Sequence, residues 1–361
     1  MVIFDESGFV KKGKESAGVA RQYCGSRGKV DNCQEGVFAA YASRHGYGLL
    51  DQRLFMPEVW FREDYARRRA RCQVPEGLSF QSKPQLAATM LQALCRDGLV
   101  PFKYVVADCL YGNSPDFLDA LDTCVGVTGL VAIPSQTRCW RQPPVVEEKT
   151  YLYKGEVRTK RVVSGPEPET VAALAASLPT GRWYRRQVSE GTKGTIAYEF
   201  ARQRVTLCKD GLPERTVWLV IKRSLGDDPS YAYAISNAPQ STPLRTLVWL
   251  SGIRWAVEQS FEEGKTELGM AHYEVRKYPG WHRHMMMTML AHFFLWRLKV
   301  RWGKKSASSN GIPDSNLARD RFTSAPVYDC KDTGVGHVGA AAQSSSVSLT
   351  PKATRDGRLK K

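Results

Sequence analysis

The run Met-Val-Ile-Phe-Asp-Glu-Ser-Gly at residues 1–8 decides the fold class, because it predicts a short strand that ends in a carboxylate. Residues 2–4 are apolar and favour β-structure, and the Glu-Ser-Gly sequence that follows Asp5 is typical of a turn. A second apolar run at residues 103–107 predicts a buried strand that ends in Asp108. If these two strands are neighbours in one sheet, their carboxylates converge.

The surrounding sequence predicts more strands of the same sheet. Three of them are expected at residues 36–42, 48–55 and 129–134. A turn at residues 44–46 would join the first two into an antiparallel hairpin beside the opening strand. Together with the helices these strands predict an α/β fold.

Four helices are predicted from apolar positions that recur at helical spacing. The first two begin at Ser82 and Ser114, where a hydroxyl N-cap precedes a proline in the first turn. The third runs continuously over residues 243–261 and carries Glu258, and a Met-rich helix spans residues 281–298. The late helix therefore adds a third acid to the two at the strand ends.

The patterns divide the chain into four parts. Residues 1–134 and 244–305 are expected to form the two halves of one core. Residues 135–243 contain short β-like runs separated by Gly, Pro and charge, and they predict a β-rich basic insertion. Residues 306–361 are rich in Ser, Gly, Ala and Lys and predict a disordered tail.

The charge balance indicates a polyanionic partner. The chain has 52 Lys and Arg against 36 Asp and Glu, a net charge of +16. Residues 138–223 alone hold 17 basic and 9 acidic residues, about half of that excess, which favours a local patch over a generally basic surface. A second basic run at residues 297–305 either follows phosphates or is a solvated helix end.

Cysteine and histidine usage does not predict a metal site. The nine cysteines are an odd number without a C-x-x-C pair, so they are interpreted as reduced thiols of a cytosolic protein. His282, His284 and His292 are interpreted as packing or phosphate-facing groups, because a catalytic zinc needs three converging protein ligands. The sequence shows no secretion leader and no run of about 18 apolar residues that would cross a membrane.

Asp5, Asp108 and Glu258 are the candidate catalytic residues. Taken singly, an Asp after a strand is most often a turn or cap residue, and a helical Glu is most often solvated. Their joint placement favours a site for Mg²⁺ or Mn²⁺, which bind through a few carboxylates and substrate phosphate. Two such ions can activate the attacking oxygen and stabilise the leaving oxygen at phosphorus. Glu262, one turn after Glu258, is the nearest competitor for the third position.

Four segments, residues 2–13, 18–25, 106–112 and 254–265, resemble the DDE-type transposases of bacterial insertion sequences, whose catalytic core is RNase H-like. The last segment matches the signature in which Arg254 precedes Glu258 by four positions and Lys265 follows it by seven. On a helix these spacings place the three residues on roughly one face. The resemblance extends from residue 1 to about residue 300 and implies an RNase H-like mixed sheet flanked by helices.

The resemblance also implies an activity. Asp5, Asp108 and Glu258 would bind two Mg²⁺ or Mn²⁺ ions, and Arg254 and Lys265 would hold DNA phosphates. The expected reaction is strand cleavage at insertion-sequence ends followed by strand transfer. The expected partner is DNA, both transposon ends and target, bound by a homodimer in a synaptic complex in the bacterial cytoplasm. No membrane partner is expected.

Three departures from the family pattern leave alternatives open. Ser251 stands where the signature has a Tyr, which affects a DNA contact. The chain begins four residues before Asp5, which is expected for a family member that lacks its N-terminal repeat-binding region, and the tail is unlike a family C-terminus. The alternatives are a catalytically inactive DNA-binding remnant or domesticated protein, and an RNase H-like nuclease that acts on RNA or junctions.

Overall fold

The computed structural model describes residues 1–43, 45–191 and 194–309. The predicted tail therefore lies outside the described residues from residue 310 onward. The strands are β1 (Val2–Val10), β2 (Ala20–Cys24), β3 (Lys29–Ser43), β4 (Gly46–Phe55), β5 (Tyr104–Ala107), β6 (Thr128–Ile133), β7 (Arg138–Trp140), β8 (Val145–Tyr153), β9 (Glu156–Ser164), β10 (Glu169–Thr170), β11 (Tyr184–Gly191), β12 (Gly194–Lys209), β13 (Leu212–Arg223) and β14 (Tyr231–Ser236). The helices are α1 (Ala66–Arg71), α2 (Lys83–Asp97), α3 (Cys109–Gly112), α4 (Pro115–Thr123), α5 (Val171–Ala176), α6 (Leu244–Ser251), α7 (Trp255–Thr266) and α8 (Tyr278–Ser309).

Five strands in the order β4-β3-β1-β5-β6 form the part of the sheet that carries the site. β3 is antiparallel to both of its neighbours, β4 and β1, whereas β5 and β6 run parallel to β1. The parallel strands β5 and β6 are joined through α3 and α4, since a parallel pair needs a crossover connection. The predicted mixed sheet flanked by helices is confirmed. β1 and β5 are neighbours, which is the condition under which the carboxylates of Asp5 and Asp108 converge.

Residue alternation along β1 assigns its side chains to two different cores. Val2 and Phe4 pack in the core that α2 and α4 cover. Ile3 faces the opposite core, which α6, α7 and α8 cover. Asp5 follows the alternation of Ile3, so its side chain is on the side of the sheet where α7 lies.

The opening strand is longer than predicted. β1 continues to Val10, paired with β3 throughout, so Asp5 lies inside the strand and the predicted turn at Ser7-Gly8 is wrong. Parallel pairing with β5 does stop at Phe4, one residue before Asp5. The glycine serves a close approach, because a Cβ at Gly8 would overlap Glu35 Oε1 and lie 2.7 Å from Cys24 Sγ.

The β-rich segment continues the same sheet. β14 pairs with β6, and β13, β12, β7 and β10 follow in that order, while β11 pairs with β12. Only β8 and β9 form a separate two-stranded hairpin among the described strands. The β-rich character of this segment is therefore as predicted, whereas its division from the core at residue 134 stays a prediction.

The predicted continuous helix over residues 243–261 is wrong, because α6 and α7 are two helices separated at Gly252. Glycine weakens a helix interior, and here Val188 fills the space: a Cβ at Gly252 would lie 2.6 Å from its Cγ1. Arg254 precedes α7 but keeps right-handed helical angles (φ −58°, ψ −27°), so the spacing from Arg254 to Glu258 is still one helical turn.

The prediction that the cysteines are reduced thiols is wrong for Cys95 and Cys124. Cys95 at the end of α2 forms a disulfide with Cys124, which follows α4. The two residues are 29 positions apart, and they meet because α2 and α4 pack side by side, a tertiary contact that cysteine spacing does not reveal. Within the described residues, no helix is both long and apolar enough to cross a membrane.

Gly112 provides a test of the packing that positions Asp108. It ends α3 directly below β6, where an added Cβ would overlap the backbone oxygen of Ala132. Gly112→Ala should lower the free energy of unfolding by about 1–3 kcal/mol, because a backbone carbonyl cannot move aside as a side chain can. The measurement is urea denaturation followed by circular dichroism.

The matched control is Gly77→Ala, since no atom lies within 4 Å of a Cβ built there. Its free energy of unfolding should stay within about 0.5 kcal/mol of the parent chain. Equal denaturation midpoints for Gly112→Ala and the parent chain would contradict the described packing of α3 on β6.

Candidate active site

Asp5 and Asp108 are brought together by strand register. Phe4 of β1 and Ala107 of β5 are the last two residues that these strands pair with each other. Asp5 and Asp108 follow them directly and therefore lie at the same edge. Asp108 leaves its strand to cap α3, where its Oδ1 accepts a hydrogen bond from the Leu110 N–H at 2.9 Å. Asp5 is buried, and its Oδ1 accepts from the Glu6 N–H at 2.9 Å. The predicted convergence of the two carboxylates is therefore present.

The guanidinium of Arg254 lies among all three predicted acids. Its Nη2 donates to Asp5 Oδ2 at 3.0 Å and lies 3.9 Å from Asp108 Oδ2. The same nitrogen is 3.8 Å from Glu258 Oε1, one turn along α7. Arg254 thus joins β1, β5 and α7 in one ionic cluster.

Glu258 is linked to the two aspartates by Arg254, whose Nη2 lies within 4 Å of all three carboxylates. It lies near enough to Asp5 for that charge to act on it, but its oxygens fall outside the tightest oxygen cluster. Glu262 is exposed and lines a groove with Glu263, His292 and Lys299 between α7 and α8. The structure therefore favours Glu258 over Glu262 as the acid that accompanies Asp5 and Asp108.

Glu6 is a site residue that the sequence did not reveal. One ligand oxygen from each of Asp5, Glu6 and Asp108 lies within 4.8 Å of the other two. The Tyr111 hydroxyl donates to Glu6 Oε2 at 3.1 Å, and Lys83 Nζ lies 3.6 Å from Oε1. The available signal was a second acid directly after Asp5, which was interpreted as part of a turn.

Burial and mutual repulsion make this cluster electrostatically unusual. Burial raises the pKa of Glu6 to about 7, with further contributions from Asp108 and Asp5, against the lowering effect of Lys83. Burial and the charge of Asp5 likewise raise the pKa values of Asp108 and Glu258, while Arg254 lowers both. Carboxylates that are crowded and desolvated in this way favour the approach of a cation.

Lys265 does not join the acid cluster. Its Nζ donates to the Gly8 carbonyl oxygen at 3.2 Å and lies 5.2 Å from the Phe9 ring centroid. Burial lowers its pKa. Of the three signature residues, Arg254 and Glu258 therefore lie at the acid cluster. Lys265 of α7 instead contacts β1 farther along, at Gly8.

The histidines of α8 pack in the way that the sequence suggested. His292 is buried, and its Nε2 lies 2.8 Å from Glu263 Oε2. His282 is hydrogen-bonded to Gln52, and His284 contacts the Gly269 carbonyl. Among the described residues none of the three belongs to a group with metal-ligand spacing.

The acid cluster has the donor chemistry that a divalent cation requires. Asp5, Glu6 and Asp108 offer converging carboxylate oxygens, the ligands that Mg²⁺ and Mn²⁺ prefer. Arg254 supplies positive charge at the same place. The residues therefore fit such an ion.

A mixed sheet with acidic side chains converging at one edge is the arrangement that the resemblance to DDE-type enzymes implies. A comparison with known families agrees with that resemblance. The family model described as DDE superfamily endonuclease matches residues 1–195, more than half of the chain. The chain belongs to this superfamily, and the resemblance inferred from the sequence is confirmed.

One similar protein has a more specific description than the superfamily. The chain is 28% identical over 280 residues to the probable transposase for insertion sequence element IS701 of Microchaete diplosiphon. The match covers 77% of this chain and 60% of that relative, so the chain spans less than two thirds of the relative's length.

A solved structure is also similar, at 10% identity with a TM-score of 0.39. It is a piggyBac transposase synaptic complex with hairpin DNA, and the match covers 86% of this chain and 48% of that one. Similarity at that score defines neither fold nor function.

Replacing one carboxylate tests the site directly. Asp108→Asn should weaken Mn²⁺ binding at least about tenfold, because even the loss of an outer partner of a metal ligand costs about 10–100-fold in affinity. The amide oxygen can still cap α3, so the fold should persist. Isothermal titration calorimetry of the parent chain and the variant gives the two affinities.

Glu262→Gln is the matched control for that titration, because this acid is exposed and lies away from Asp5. Its Mn²⁺ affinity should equal that of the parent chain. Equal binding by Asp108→Asn and the parent chain would show that Asp108 is not a ligand.

Proposed function

We propose that this chain contains the catalytic core of a transposase that cleaves DNA strands at the ends of an insertion sequence and transfers them to target DNA. The observation that carries the proposal is the convergence of Asp5, Asp108 and Glu258 on Arg254. Membership of the DDE endonuclease superfamily supports it. The similarity to a probable insertion-sequence transposase supports the choice of substrate.

In the proposed reaction Asp5 and Asp108 hold Mg²⁺ or Mn²⁺, with Glu258 completing the ligand set and Glu6 as an additional donor. When bound, two such ions activate the attacking oxygen and stabilise the leaving oxygen at phosphorus. Asp5 is held by β1 and Asp108 by the N-terminus of α3, so both carboxylates are oriented by backbone before any cation binds.

Arg254 has a second role in this proposal. Its guanidinium donates to Asp5, and although burial lowers its pKa, the three acids together raise it by more, so the group stays charged. Cations at the carboxylates would release that guanidinium for a substrate phosphate, which it can contact through two parallel hydrogen bonds. Arg254 would then position the DNA backbone beside the acids.

We assign Glu6 to the catalytic cluster as an additional carboxylate donor, because one of its oxygens lies within 4.8 Å of an oxygen of Asp5 and of Asp108. The Tyr111 hydroxyl and Lys83 fix the orientation of its carboxylate.

The hairpin β8–β9 is the proposed contact for DNA outside the acid cluster. Lys149 and Lys160 are paired directly across it, and Tyr151 and Arg158 are the next pair on the same face. Like charges directly opposite one another are unfavourable, and Glu147, whose Oε2 lies 3.9 Å from Lys149 Nζ, offsets only one of the two lysines. These side chains are exposed, and a two-stranded ribbon fits the major groove of DNA.

DNA nicking tests the proposed activity. The chain should convert supercoiled plasmid to open circles in Mn²⁺, and Glu258→Gln should slow this by about 100-fold or more, the cost of removing one group that stabilises transition-state charge. Gel electrophoresis of timed samples gives the rates. Glu262→Gln is the control and should cleave at the rate of the parent chain.

Two outcomes of the nicking assay contradict the proposal. Loss of cleavage in Glu262→Gln but not in Glu258→Gln would move the third acid to Glu262. A parent chain that binds DNA and cleaves none in Mn²⁺ or Mg²⁺ would favour the catalytically inactive remnant.

Salt-dependent DNA binding tests the hairpin. The double variant Lys149→Gln, Lys160→Gln should bind duplex DNA more weakly and lower the slope of log affinity against log salt by up to about 1.8, since each phosphate contact contributes about 0.9. Single-residue changes are used here, because deleting the whole basic segment 138–223 would also remove β12 and β13 from the main sheet. Fluorescence anisotropy at several salt concentrations gives the slope.

Arg161→Gln is the control for the hairpin variant. Arg161 lies on the other face of the same hairpin, opposite Glu148, so the salt slope should stay close to that of the parent chain. An unchanged affinity and slope in the double variant would show that the lysine pair is only a solvated surface.

A further inference from the structure

Two thiols and a carboxylate meet in the buried space between β1, β2 and β3. Cys24, Cys33 and Glu35 are each fully buried, at 0% exposure. One ligand atom from each residue, the two sulfurs and a carboxylate oxygen, lies within 4.8 Å of the other two. Cys33 Sγ donates to Glu35 Oε1 at 3.5 Å. No residue of this group belongs to the acid cluster around Asp5.

The backbone is shaped to bring these atoms together. β3 presents Cys33 and Glu35 on one face, two residues apart, and the turn after β2 folds over β1 so that Cys24 reaches the same place. On β1 the facing residue is Gly8, where any Cβ would overlap Glu35 Oε1 and approach Cys24 Sγ. Ser26 in that turn adds a hydroxyl oxygen 3.2 Å from Cys24 Sγ.

Two lysines supply positive charge around the two thiols and the carboxylate. Lys83 Nζ lies 3.3 Å from Glu35 Oε2 and 3.6 Å from Glu6 Oε1. Lys265 lies near enough to Cys24 and Glu35 for both to act on its charge, and it donates to the Gly8 carbonyl. Two thiolates, one carboxylate, a divalent cation and one of these lysines sum to zero, so a bound cation leaves no net buried charge.

We propose that Cys24, Cys33 and Glu35 form a binding site for Zn²⁺, with the Ser26 hydroxyl or water as the fourth ligand. Two sulfurs and one oxygen suit zinc, whereas magnesium and manganese prefer oxygen alone. Binding forms two Zn–S bonds and one Zn–O bond, displaces water from the hydrated ion, and releases the two thiol protons to solvent. The site is separate from the carboxylate cluster that is proposed to hold Mg²⁺ or Mn²⁺.

The position of the site gives it a structural role. Its ion would tie β2 and β3 together beneath Gly8, three residues after Asp5 on the same strand. The Glu35–Lys83–Glu6 ion pairs continue from the thiol group to the acid cluster. Zinc should therefore stabilise the middle of β1, which carries Asp5 and Glu6, and it would touch no substrate.

The experiment uses the full 361-residue chain. Purified protein is dialysed with excess Zn²⁺ and then without free metal, and bound zinc is measured by mass spectrometry of the metal. The parent chain should retain about one zinc per chain, and Cys24→Ser and Cys33→Ser should each retain less than about a tenth, because both sulfurs are ligands. Two controls, Cys139→Ser and Asp108→Asn, should retain zinc as the parent chain does.

A second measurement needs no variant and therefore does not depend on the folding of Cys24→Ser or Cys33→Ser. Co²⁺ added to the parent chain should give the charge-transfer absorption of thiolate-bound cobalt, and Zn²⁺ should remove it. A parent chain that retains no zinc and gives no thiolate–cobalt absorption overturns the proposal, as does retention of zinc by both cysteine variants.

Discussion

The ionic cluster around Arg254 is the interaction on which the rest of the site depends. Asp5, Asp108 and Glu258 come from two strands and a helix that are far apart in sequence, and one guanidinium lies within 4 Å of all three. Without a positive charge at this place, carboxylates with little solvent around them would repel one another. A fold that brings them together nonetheless requires a cation there, whether Arg254 or a metal ion.

Strand geometry explains why that cluster forms where it does. Alternation along β1 puts Asp5 on the face covered by α7, and the end of pairing between β1 and β5 leaves room for Asp108 to turn into α3. β1 also continues to Gly8, where its backbone borders the buried thiol group. One strand thus supports both the proposed catalytic metal site and the proposed zinc site, and Lys83 links them.

Much of this arrangement could be predicted from the sequence, because local patterns carry it. Apolar runs followed by Asp5 and Asp108 predicted two strands whose carboxylates converge if the strands are neighbours, as they are. The spacing from Arg254 to Glu258 survives the break at Gly252 because Arg254 keeps helical angles. What could not be predicted depends on contacts between distant segments. In the sequence, Gly8 is typical of a turn, and only the structure shows that it makes room for Glu35. Cys95 meets Cys124 only through the packing of α2 on α4. The role of Glu6 likewise emerges only when Asp108 and Lys83 surround it.

We propose that the Asp5 and Asp108 carboxylates bind a divalent cation, which displaces the guanidinium of Arg254 from Asp5. Anomalous diffraction from a crystal of the chain soaked in Mn²⁺ tests this proposal directly. We expect a manganese peak in contact with both carboxylates and a guanidinium of Arg254 that no longer bonds to Asp5. Manganese bound only elsewhere, with the bond between Arg254 and Asp5 unchanged, would contradict it.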